Sequence, residues 1–104
     1  MSNGLIAFFK KCEELDLPMD ICAYAYMEAH NINNTDFTPE KFYEFFEGIY
    51  KEDTIFNFLK KLVGNSLLLS FDIDNNTELN SKSILSLNVI YNKRLNPIFN
   101  VEKY

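Results

Sequence analysis

The stretch LVGNSLLLSFDIDNNTELNSKSILSLNVIY, residues 62–91, decides the fold, because the hydrophobic rhythm changes inside it. Up to Gly64 the apolar residues recur at helical spacing. Beyond it, LLLSFDID alternates in its second half, and ILSLNVIY alternates across Leu85, Leu87 and Val89 with Ser86 and Asn88 between them. That pattern marks strands with one buried face. Two strands joined through NNTELNSK make a hairpin with a connection of about eight residues, since Asn and Asp tolerate left-handed backbone and bond their own main chain. Asn92-Lys93-Arg94 reads as a further turn. Residues 98–104 then supply a third strand, which Pro97 restricts to a sheet edge or a strand start.

Working back from Gly64, the chain reads as four helices. The fourth carries Ile55, Phe56, Phe58, Leu59, Leu62 and Val63, with Asp53 or Thr54 as its cap and Gly64 closing it in the left-handed position. Thr38-Pro39 opens the third, a hydroxyl cap followed by a proline suited to the first turn. Its apolar face is Phe42, Phe45, Phe46 and Ile49. Gly48 within it costs about 1 kcal/mol relative to alanine, which predicts an early end or a close neighbour there. The second helix restarts at Pro18, runs to about His30, and buries Ile21, Cys22, Ala25, Tyr26 and Ala29. The first covers residues 3–16 with a stripe of Leu5, Ile6, Phe8, Phe9, Cys12 and Leu15. Helices followed by strands predict an α+β fold, with about four N-terminal helices and then a small antiparallel β-hairpin or three-stranded sheet. Residues 1–104 are expected to form a single domain, helical over 1–63 and β over 64–104.

Charge divides the chain at the same place. Residues 1–63 hold eleven acids against six lysines, a net of −5, while residues 64–104 hold four acids and four bases. An acidic surface disfavours direct binding to nucleic acid, which requires cations to displace the counterions. It favours a partner protein with a basic surface. No run of apolar residues reaches the length of a membrane span. The N-terminus has neither a basic flank nor a small-residue cleavage site, so cytoplasmic residence is expected. Cys12 and Cys22 match no metal-ligand spacing and read as free buried thiols. The sequons at Asn33 and Asn75 have no role in a chain that is not secreted.

Few residues suggest chemistry. DIDNNTELN opens like a calcium loop, with Asp72, Asp74 and Asn76 at the first three ligand positions. It fails where such a loop needs glycine and a bidentate glutamate, because Thr77 and Ser83 stand there. His30, the single histidine, sits at a helix end and suits a capping or surface role. Phosphate-binding glycine motifs, nucleophile elbows and zinc-protease signatures are all missing, so neither an enzyme nor a cofactor is expected.

The surface of the helical part is more informative. Glu40, Glu44, Glu47 and Lys51 fall at i, i+4, i+7 and i+11, one face of the third helix, with Glu47 and Lys51 spaced to pair. Glu13, Glu14 and Asp20 add acid on the first two helices. Tyr24, opposite Ile21 and Ala25, and Tyr43 with Tyr50, seven apart on the third helix, form an aromatic set suited to interface contacts. An ordinary solvated face accounts for the glutamates as well, and incomplete burial of sixteen aromatics accounts for the tyrosines. The sharper expectation is a small acidic inhibitor or adaptor, encoded by a phage or mobile element. It would occlude the basic surface of a host nucleic-acid-handling protein in the manner of anti-CRISPR and other anti-defence proteins, acting in the host cytoplasm. An immunity-type protein against a toxin is a variant of this reading. Two rivals come from other classes: a homo-oligomeric structural or assembly protein, pairing as a homodimer through the C-terminal edge strand or the tyrosine face, and, less expected, an enzyme or metal-binding domain using His30 or the loop of Asp72 and Asp74.

Overall fold

The computed structural model describes residues 3–30, 36–72 and 78–91. Four helices come first: α1 (Asn3–Glu14), α2 (Met19–Ala29), α3 (Pro39–Phe45) and α4 (Glu52–Gly64). Strands β1 (Leu68–Phe71) and β2 (Ile84–Leu87) follow, and then a short 3-10 turn, Val89–Tyr91. The α+β architecture with N-terminal helices and a small hairpin is thus the observed one. The expected turn at 92–94 and third strand at 98–104 lie outside the described residues, as do both sequons and the Asp74–Thr77 part of the calcium-like loop.

α1 and α4 end in the same way, and neither uses glycine to do it. In α4 the N–H of Leu67 reaches the carbonyl of Leu62 and that of Ser66 reaches Val63, at 2.9 and 3.1 Å. In α1, Leu17 bonds Cys12 and Asp16 bonds Glu13, at 3.0 and 3.1 Å. Both are Schellman motifs, and the residues that close them, Leu67 and Leu17, are buried. The left-handed positions are taken by Asp16 (φ 58°) and Ser66 (φ 63°). Gly64, expected to hold that position, is the last helical residue of α4 instead, and Asn65 is the cap. The α4 start also differs from expectation, since Lys51 occupies the N-cap and Glu52 and Asp53 fill the first turn, where acids complement the helix dipole.

α3 is shorter than its hydrophobic spacing implies. Helical bonding stops at Phe45, Phe46 caps it, and Gly48 turns the chain with φ 84°, a value that glycine adopts without strain. The consequence for burial is direct: Phe42 and Phe46 are buried, but Phe45 and Ile49, expected beside them, are 61% and 65% exposed. Phe45 is still covered on one side by the Tyr24 ring, stacked at 4.2 Å. In α1 the stripe is narrower than expected, with Phe8 and Cys12 buried and Leu5 and Ile6 exposed. Tyr26 of α2 is half-buried, and its hydroxyl donates to the Tyr91 carbonyl at 2.8 Å.

The hairpin is antiparallel, with Leu68 opposite Leu87 and Phe71 opposite Ile84. Leu68, Leu85 and Leu87 face the core, while Leu69 and Phe71 point outward and are exposed. The β2 edge is tied to the segment that leads into α3 by the Leu85 N–H, which donates to the Phe37 carbonyl at 2.8 Å. The connection is longer than expected because β1 stops at Phe71 and β2 starts at Ile84. Val89, expected in the strand, begins the 3-10 turn and is exposed. Asn80 fastens the described end of the connection: its side-chain amide donates to the Asp72 carboxylate at 2.7 Å, and its N–H to the buried Ser83 hydroxyl at 2.9 Å. One core cluster runs from Phe8 of α1 through Ile21, Phe42 and Leu59 to Leu87 of β2.

Candidate functional site

The expected acidic and aromatic residues do not form one surface. The structure gathers some of them around Tyr43 and gives others structural tasks. α3 starts at Pro39 with Thr38 in the cap position, although the Thr38 hydroxyl makes no capping bond. From this start Glu40 and Glu44 project from the exposed side of the helix while Phe42 fills the core. Tyr43 lies between the two glutamates, half-buried. The early end of α3 then removes Glu47 from the helical face and puts it in the Gly48 turn, which leads through Tyr50 into α4.

Two adjoining hollows result. One, of about 420 Å³, is lined by Glu40, Tyr43, Glu44, Glu52 and Ser81. The other, of about 440 Å³, is lined by Tyr43, Glu44, Glu47, Gly48, Tyr50, Lys51 and Glu52. Tyr43, Glu44 and Glu52 belong to both. The expected pairing of Glu47 with Lys51 is not formed, because the turn breaks the i, i+4 relation that it required; among the described residues the two make no ion pair. Burial raises the Tyr43 phenol above its usual range, and the negative charges of Glu52 and Glu40 raise it further. The same carboxylates favour a cation placed over the Tyr43 ring.

Tyr24 and Tyr50 also have tasks in the fold. Tyr24 is half-buried, with Phe42 and Phe46 edge-on to its ring at 5.0 and 5.5 Å. Its phenol is raised by burial and then by the charges of Glu28 and Glu44. Tyr50 donates to both carboxylate oxygens of Asp20, at 2.9 and 3.1 Å, and so ties the α3–α4 turn to the start of α2. Burial, and then Asp20, raise the Tyr50 phenol. Asp20 is therefore engaged within the chain. Glu14 pairs with Lys11 at 3.6 Å on α1, and Glu13 lines a separate groove between α1 and α2. Neither lines the Tyr43 hollows.

No family model, curated protein or solved structure matches the chain. The site is therefore read from its own geometry. Among the described residues, no group of three or more His, Cys, Asp or Glu side chains is placed to hold a metal ion. No helix among them is long and apolar enough to cross a membrane. His30 caps α2, with Nδ1 3.1 Å from the carbonyls of Tyr26 and Met27 and its ring stacked on Tyr26. Glu52 is the site residue that the sequence reading missed. The available signal was its place before Asp53, since paired acids favour a first helical turn, but a cap at Asp53 or Thr54 left Glu52 in the preceding loop.

Proposed function

We propose that this chain is a small acidic inhibitor or adaptor that docks its Tyr43 face against a basic surface of another protein. One observation carries the reading: Glu40, Glu44, Glu47 and Glu52 surround half-buried Tyr43, and exposed Phe45 and Ile49 lie next to Glu44 and Gly48 in the chain. Interfaces combine apolar anchors with a charged rim in this manner. A guanidinium or ammonium seated over Tyr43 gains about 0.5–1 kcal/mol from the ring, and more once desolvated among carboxylates. A partner groove that normally holds nucleic acid offers such cations in a row. Filling it with this face excludes the nucleic acid by steric and electrostatic means. That mode suits a phage or mobile-element protein directed at a host defence system, anti-CRISPR inhibition being the concrete form.

The full chain is used to capture partners from host lysate at low salt, beside the Glu40→Lys/Glu44→Lys/Glu47→Lys variant. The wild type is expected to retain a nucleic-acid-binding protein and release it as salt is raised. The folded triple variant is expected to retain at least tenfold less. Equal recovery by the two sinks the acidic-face reading.

A further inference from the structure

Cys12 of α1 and Cys22 of α2 meet where the two helices pack, Cys12 2% exposed and Cys22 fully buried. Their thiols are hydrogen-bonded to each other. Both side chains also line the groove of about 390 Å³ between the helices, whose other walls include Ile6, Phe9, Glu13, Leu17 and Met19. Most buried cysteines are inert because nothing reaches them and no second sulfur is near. Here a second sulfur is hydrogen-bonded to the first, and Cys12 keeps a 2% opening onto the groove. We propose that Cys12 and Cys22 are an oxidation site that closes to a reversible intramolecular disulfide on exposure to a peroxide.

The two sulfurs have different roles. Cys12 keeps 2% exposure where Cys22 has none, so a peroxide entering the groove meets Cys12, the attacking sulfur. The hydrogen bond between the thiols favours the thiolate at Cys12, against burial, and together with burial it keeps Cys22 protonated. The Cys12 thiolate takes an oxygen from the peroxide, the O–O bond breaks, and hydroxide leaves, giving the sulfenic acid. Cys22 then attacks the Cys12 sulfur, forming the S–S bond and displacing a second hydroxide. The two hydroxides take up the two thiol protons. Two thiols are oxidised by two electrons, and one hydrogen peroxide is reduced to two waters. The small exposure of Cys12 admits hydrogen peroxide through the groove and excludes bulky disulfide oxidants. The bond would fasten the end of α1 to α2 across the Asp16 turn. It lies apart from the Tyr43 hollows and does not depend on the reading of that face.

The folded chain is exposed to graded hydrogen peroxide, quenched, alkylated under denaturing conditions and mapped. No Lys or Arg separates the cysteines, so trypsin leaves both in one peptide, whereas a glutamate-specific protease cuts at Glu13 and Glu14 between them. The expected result is loss of both free thiols and a linked Glu-specific fragment pair that a dithiol reductant separates. Met19 and Met27 are exposed and serve as internal measures of peroxide dose. Both thiols still titrating once these methionines are oxidised would overturn the proposal, as would a covalent dimer in place of the internal bond. In Cys22→Ser the sulfenic acid at Cys12 is expected to persist and react with dimedone. If that variant does not fold, the wild-type map decides alone.

Discussion

Gly4 sits in the first turn of α1 against Tyr91, and a Cβ built there would overlap the Tyr91 carbonyl. Two effects compete on substitution. Alanine gains up to about 1 kcal/mol of helix propensity over glycine, less at a helix start. Forcing a methyl group into filled space costs about 1–3 kcal/mol. The obstacle is main chain, and its carbonyl also accepts the Tyr26 hydroxyl, so it yields poorly. Gly4→Ala is therefore expected to destabilise, lowering the melting temperature by several degrees at about 4–8 °C per kcal/mol. A melting temperature that stays level or rises in scanning calorimetry would show that the close approach is not maintained. Nothing in the spacing of α1 signals this constraint, because the neighbour arrives from the far end of the described chain. The same holds for Tyr24 and Tyr50. The place of Tyr24 on a helix face was readable from the sequence, but Tyr50, expected on the third helix, stands in the turn after it, and that it meets Asp20 depends on where α3 ends.

The end of α4 places its glycine two residues too early. Gly64 is helical and has open space around a built Cβ, while Ser66 holds the left-handed position. A non-glycine residue in that position costs roughly 1–2 kcal/mol, and glycine in a helix up to about 1 kcal/mol. The Gly64→Ala/Ser66→Gly double variant relieves both and is expected to raise stability by about 1 kcal/mol, read as a higher urea midpoint at unchanged m-value. A lowered midpoint would mean that the Ser66 side chain makes a contact that outweighs the strain. Element type was well marked in the sequence: four helices and a hairpin follow from the change of period at Gly64. Element limits were less so. The spacing of Phe42, Phe45, Phe46 and Ile49 continues past the point where Gly48 ends α3, because hydrophobic period says nothing about φ. Periodicity therefore put Glu47 on one helical face with Glu40 and Glu44, whereas the Gly48 turn takes it off that face and leaves it beside Tyr43. The gathering of acids around Tyr43 depends on a turn, and turns are the least periodic part of a sequence.

Across the molecule, the net charge of −5 belongs to the helical part, and the Tyr43 face concentrates it. The exposed Lys11–Glu14 pair offsets little of this, since such pairs contribute between zero and about 1 kcal/mol. Repulsion among Glu40, Glu44, Glu47 and Glu52 is therefore expected to dominate the salt response. The melting temperature should rise as sodium chloride increases from about 0.01 to about 0.15 M, where screening contracts from roughly 30 to 8 Å. A fall over that range would show that attractive pairs outweigh the clustered acids. The tie between Tyr26 and Tyr91 has a different kind of consequence. Its partners stand 65 residues apart, and Tyr91 also packs edge-on against Phe8 at 5.6 Å. Each helix and the hairpin form from neighbours in the chain, whereas the Tyr26 tie closes around α3, α4 and the hairpin, and the Phe8 contact around α2 as well. Closing so long a loop costs entropy that only the assembled core returns. The junction therefore couples otherwise local pieces into one cooperative unit, and a probe beside Tyr91 would report the folding of the whole chain rather than of its last turn.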